Sequence, residues 1–199
     1  MKMATAAAAT SSYSSASAIL LYAIFFAGTH AEPTEVATSE VPSILPVCKT
    51  VGGGSTFFDV QYCLEALGSD GRSANAGMNY RTYSSIAADL LAANATSTAT
   101  KIGGLLRGRD GGDEATTRCL RSCQALYGGV VRRQPGCAAA VRGRKDGEAT
   151  RCLEEAASAA KECEEGFGKS KVASPVTMEN DDAFKLAKLA VALLSMAHY

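Results

Sequence analysis

The sequence predicts an all-α fold: an up-down-up-down four-helix bundle entered through an N-terminal helical hairpin and stapled by disulfides. Three observations carry that prediction. Four segments place apolar residues at the i, i+3, i+4 spacing of a helix. No stretch alternates like a strand over a useful length, apart from a weak pattern at 57–62. Seven cysteines follow a leader of secretory type, and a secreted route makes disulfides their first use. Amphipathic helices joined by short links bury their stripes best as a bundle.

Residues 1–31 read as a signal peptide. Lys2 is the only charge, an apolar run AILLYAIFFAG follows at 18–28, and Thr29-His30-Ala31 offers small residues for cleavage. The run is too short for a permanent membrane anchor. Nor does Ala197-His198-Tyr199 resemble a retention tail, so the expected destination is outside the cell. Without its leader the chain has one basic residue fewer than the 20 Lys and Arg of the whole and all 20 of its acids, a net charge of −1. That balance excludes a general nucleic-acid binder, which needs a cationic excess.

The elements follow in order. Pro33, Pro42 and Pro46 make 32–46 an irregular lead-in. Two short pieces ending in Cys48 and Cys63, parted by the Gly-Gly-Gly-Ser at 52–55, fold back as a hairpin over 47–68 if one disulfide joins them. The bundle occupies about 78–198. Its first helix spans 80–107, with Tyr83, Ile86, Ala87, Leu90, Leu91, Thr98, Ile102, Leu105 and Leu106 on one face, and Asp110-Gly-Gly-Asp113 ends it. The second starts near Glu114, carries Leu120, Leu126, Tyr127 and Val130, and should kink or break at Pro135-Gly136. The third, rich in Ala and Glu, runs from about Gly147 to Cys163. The fourth is the apolar run from Phe184, begun after the acidic Glu179-Asn-Asp-Asp182. Its Lys185 and Lys188 beside Leu186, Leu189 and Leu193 suit either a membrane-surface helix or the last wall of the bundle.

If the second and third bundle helices form an antiparallel hairpin, residues equidistant from its turn lie side by side. The midpoint of Cys123 and Cys163 is residue 143, and that of Cys137 and Cys152 falls between 144 and 145. Both pairs thus point to one polar turn, and two bridges between the same helices is the simplest pairing. Rotation at Pro135 would put Cys137 out of phase. Cys119, one turn before Cys123, is left as a free buried thiol or a site of intermolecular pairing.

The search for chemistry is short. Zinc lacks partners: once the leader is gone, His198 is the sole histidine, and no C-x2-C pair exists. The same shortage argues against a Ser/His/Asp or Cys/His nucleophile. The adjacent acids Glu154/Glu155 and Glu164/Glu165 diverge by about 100° on a helix and read as solvated faces. No catalytic role, metal or cofactor is expected. Arg132, Arg133, Arg142, Arg144 and Lys145 gather at the hairpin end, either to meet an acidic cleft or as a solvated helix terminus. Asn94-Ala-Thr96 is the sole N-glycosylation sequon, yet Asn94 falls on the apolar side of its helix, so a glycan and a folded core asparagine both fit.

Three motifs, Cys123-Gln-Ala-Leu-Tyr127, Glu162-Cys-Glu-Glu-Gly-Phe167 and Ser174-Pro-Val-Thr177 with Asn180 shortly after, stand downstream of the Cys48 and Cys63 pair. Together they resemble the plant invertase and pectin methylesterase inhibitors over about 47–194, most of all the pollen-allergen-like branch of invertase inhibitors. The resemblance implies bridges Cys48–Cys63 and Cys123–Cys163. It also implies a secreted inhibitor of the apoplast and cell wall, acting by a 1:1 protein complex with pectin methylesterase or invertase that blocks the substrate cleft. Invertase inhibitors of the family often carry Pro-Lys-Phe between the second and third bundle helices, where this chain has Arg144-Lys-Asp-Gly-Glu148. Cys119, Cys137 and Cys152 depart from the family pattern. Charge-bearing Arg142, Arg144 and Lys145 are the candidate target contacts. The competing reading is a bundle that keeps the fold without inhibiting, as a ligand-binding or storage-like pollen protein.

Overall fold

The structure, a computed structural model, describes residues 44–108 and 113–198. The expected leader, most of the lead-in and the Asp110-Gly-Gly turn lie outside the described residues. Helices α1 (Leu45–Gly52) and α2 (Val60–Gly68) form the entry hairpin. A short 3-10 turn (Gly71–Asn75) leads to the bundle helices α3 (Tyr80–Arg107), α4 (Glu114–Arg142), α5 (Asp146–Lys169) and α6 (Thr177–Met196). Each long helix packs on two others, α3 on α4 and α6, and α5 on α4 and α6, which closes an up-down-up-down ring. The hairpin lies against α3 and α6.

Side chains start three of the helices. Asp59 accepts from the Tyr62 amide at 2.8 Å, Asn79 from that of Thr82 at 3.0 Å, and Asp113 from that of Thr116 at 2.8 Å. Each satisfies a backbone donor that the helix cannot, worth about 1 kcal/mol. Burial then follows the heptad expected for such packing. On α4 it runs Leu120, Cys123, Tyr127, Val130, Gln134, Cys137 and Val141, steps of three and four that keep one stripe toward the centre. On α5, alanines at 149, 156, 157, 159 and 160 let the neighbouring helices approach closely around Leu153.

Leu45 and Pro46 form the first turn of α1, where proline's fixed φ and missing N–H cost nothing. Three expectations need correction. Pro135 does not end α4: the helix continues to Arg142, with Gln134 and Cys137 buried on either side of an exposed proline. An interior proline costs about 3 kcal/mol through the lost hydrogen bond and ring clash, and the amide of Gln134 is buried here without a hydrogen-bond partner among the described residues. Helix α5 outruns Cys163 by six residues, to Lys169. Helix α6 starts at Thr177, directly after Pro175, so the acidic run lies inside its first two turns instead of before it. Its Leu186, Leu189 and Leu193 are buried, and Lys188 reaches Glu154 on α5, so α6 is the fourth wall of the bundle.

Candidate functional site

The two ends of α5 carry different chemistry. At its C-terminal end the sequence motifs converge. Cys123 and Cys163 are joined, with Cα atoms 4.9 Å apart. One turn further along α4, the buried Tyr127 hydroxyl donates to Asn180 Oδ1 at 2.8 Å. Asn180 Nδ2 donates to Glu164 Oε2 at 2.7 Å, and Thr177 Oγ1 donates to Glu164 Oε1 at 2.7 Å. Burial, and then the carboxylates of Glu179, Glu164 and Asp182, push the Tyr127 phenol above its ordinary range, so it remains a donor. Glu164 is therefore a member of a polar chain across α4, α5 and α6, not merely part of a solvated face. Beside it, Asp182 accepts from Tyr62 Oη at 2.7 Å and from Asn94 Nδ2 at 2.9 Å, tying the entry hairpin to α3 and α6. Cys119 is buried at this end, its Sγ 3.3 Å from Ser170 Oγ and 3.4 Å from the Gly166 carbonyl oxygen.

The other end is the basic turn. Helix α4 closes with a Schellman arrangement: the Lys145 amide donates to the Ala140 carbonyl at 3.0 Å, and the Arg144 amide to that of Val141 at 3.4 Å. This places Arg144 in the left-handed region, φ 58°, where glycine is the usual occupant. Arg142, Arg144 and Lys145 are all exposed. Their internal partners are weak: Arg142 lies 3.9 Å from Asp89, and Lys145 is 3.6 Å from Glu148.

The turn is held from behind. Arg81, on the first turn of α3, forms a two-pronged pair with Asp146, the first residue of α5, and donates to the Val141 carbonyl at 3.1 Å. His198 Nε2 stands 3.3 Å from the same carboxylate. The hydrogen bond from Arg81 holds the Asp146 carboxyl below the usual carboxylate range despite partial desolvation. An open cleft beside the turn is lined by Met78, Tyr80, Arg81, Arg142, Arg144 and Met196. Arg81, Asp146 and Asp182 were not singled out as site residues by sequence pattern, because each acts through a partner far away in the chain. Only the motif positions of Tyr127 and Asn180 hinted at a shared role.

Cys137 and Cys152 are joined between α4 and α5 with Cα atoms 5.7 Å apart, and Cys48 and Cys63 join α1 to the middle of α2 at 5.5 Å. With Pro135 inside α4, Cys137 still meets Cys152. Arg132 and Arg133 sit further down α4, with Arg133 3.3 Å from Glu155. Among the described residues, no cluster of three or more His, Cys, Asp or Glu side chains is placed to hold a metal ion. None of the described helices is long and apolar enough to cross a membrane.

A disulfide-stapled helical bundle whose polar groups at one end are paired internally, while its other end presents cations, is a protein-binding scaffold by build. The chain belongs to the plant invertase/pectin methylesterase inhibitor family, whose model matches residues 43–193. That is a family of inhibitors rather than enzymes. A Platanus orientalis protein named "Putative invertase inhibitor" is 27% identical over 150 residues, 75% of this chain and 86% of that one. A Platanus acerifolia protein of the same name is also 27% identical, over 82% of its length. The fold matches the crystal structure of a mutant form of a pectin methylesterase inhibitor from Arabidopsis, with TM-score 0.64, 17% identity, and coverage of 77% of this chain and 97% of that one.

Proposed function

We propose that this chain is a secreted inhibitor that loses residues 1–31, enters the apoplast and cell wall, and blocks the substrate cleft of a carbohydrate-active enzyme in a 1:1 complex. The target is invertase or pectin methylesterase. The observation that carries this reading is the exposed basic turn between α4 and α5, in which Arg142, Arg144 and Lys145 project from a support fixed by Arg81 and Asp146. A preorganised cationic loop suits a cleft lined with carboxylates and loses little entropy on docking. The domain that folds is 47–199, preceded by the hairpin's first turn, and inhibition needs no cofactor or catalytic group.

The remaining candidate residues support the scaffold. Asn94 serves as a folded, half-buried asparagine whose Nδ2 donates to Asp182 on α6, the reading we favour over a glycan site. Cys119 is a buried thiol rather than an intermolecular bridge. Titration of the oxidised protein into purified invertase and pectin methylesterase at acidic pH tests the reading. Loss of activity in one enzyme at a 1:1 ratio supports it and names the target. Failure to bind either enzyme favours a bundle that keeps the fold without inhibiting.

A further inference from the structure

The three disulfides differ in how they meet solvent. Cys48 and Cys63 are fully enclosed, and Cys123 and Cys163 are 1% exposed each. In the third pair Cys137 is buried but Cys152 is only partly so. Both of its cysteines line an open groove between α4 and α5, where the guanidinium groups of Arg132, Arg133 and Arg151 outnumber the carboxylates of Glu148 and Glu155. The space beside Gly136 is empty of neighbouring atoms, which leaves an approach to the adjacent Cys137. Of the three guanidinium groups, Arg133 pairs with Glu155, while Arg132 and Arg151 form no ion pair among the described residues. A cationic surrounding favours a thiolate over a thiol, and so favours both the sulfur anion that leaves when a disulfide is cut and the approach of an anionic attacker.

We propose that Cys137–Cys152 is a modification site for a dithiol reductant, and that its opening loosens the α4–α5 end and weakens inhibition. The second half of this statement rests on the proposed docking role of the basic turn; the first does not. The reaction balances as an ordinary exchange. A thiolate of the dithiol attacks Cys152 Sγ, the S–S bond breaks, and its electron pair stays on Cys137 Sγ as a thiolate. The second thiol of the reagent then displaces Cys152 from the mixed disulfide. The reagent is oxidised to its cyclic or intramolecular disulfide, the protein gains two thiols, and the two protons come from the dithiol. The bridge lies five residues before Arg142 on α4 and seven after Lys145 on α5, so it closes the part of the bundle that bears the turn.

The test uses the folded, oxidised protein without denaturant. Limited dithiothreitol is added, thiols are alkylated at timed intervals, and peptide mapping follows each cysteine. Cys137 and Cys152 should label on the order of tenfold faster or more than Cys48, Cys63, Cys123 and Cys163. Equal rates, or earlier opening of either other pair, would overturn the assignment. On the enzyme that the untreated protein inhibits, the selectively reduced protein should show an inhibition constant raised at least about fivefold, about 1 kcal/mol. Rapid labelling with unchanged inhibition would overturn the regulatory half, while inhibition of neither enzyme by untreated protein would reject the proposed function and leave the labelling order to decide the site. A Cys137→Ser/Cys152→Ser protein should match the reduced form in inhibition; behaviour like the oxidised protein counts against the switch.

Discussion

The C-terminal and N-terminal ends of α5 are both polar, yet they use polarity in opposite ways. At the C-terminal end, Tyr127, Asn180, Glu164 and Thr177 spend their hydrogen bonds on one another. At the N-terminal end, the Arg144 guanidinium makes no hydrogen bond or ion pair among the described residues and acts on Asp146 only through its field, and Arg142 and Lys145 have only loose partners. The motifs that mark the family build the first end. They explain why the bundle keeps its register, and they do not explain what it binds. The proposed docking surface is therefore the end whose cations are exposed.

Breaking the clasped end should have the largest effect. Removing the Cys123–Cys163 bridge as a Ser/Ser pair opens a loop of 40 residues and should cost about 4 kcal/mol of unfolding free energy, against about 3 kcal/mol for the shorter Cys48–Cys63 loop. Urea denaturation of both variants measures the difference. Next is Tyr127→Phe, which strands the Asn180 acceptor in a buried place and should cost about 1–3 kcal/mol while leaving inhibition intact wherever the protein stays folded. Comparing melting and inhibition for that one variant separates scaffold from docking surface.

At the basic end the effects on stability are smaller. The folded pKa of Asp146 is depressed, so its contribution is present above the unfolded carboxylate value near pH 4 and is lost as pH falls through the lower folded value. Asp146→Asn should therefore lower stability by no more than about 1 kcal/mol at pH 6, with the gap to the parent protein closing below about pH 3. Thermal melts at several pH values follow this gap. Smallest, and of opposite sign, is Arg144→Gly: a left-handed φ costs a side chain about 1 kcal/mol, so the variant should be slightly more stable even as it binds its target less tightly.

Much of this architecture was legible in the sequence. The helical periods of α3 and α4 are strong, and the cysteine midpoints located the α4–α5 turn without reference to any relative. Boundaries were harder to read. Pro135 signals a break locally, yet α4 runs through it to Arg142. The acids before Phe184 look like a helix start, although Pro175 is the real stop and the acids pair within α6 and with α2 and α3. Contacts such as Arg81 with Asp146, 65 residues apart, leave no local trace in sequence. The basic turn proposed to dock was visible as a cluster of cations, while the support beneath it was not.

Charge reversal of the turn tests the central claim most directly. With Arg142→Glu, Arg144→Glu and Lys145→Glu combined, the protein should melt close to the parent, and its inhibition constant on the enzyme that the parent inhibits should rise on the order of a hundredfold, about 3 kcal/mol. An unchanged inhibition constant in a folded variant would contradict the assignment of the α4–α5 turn as the docking site.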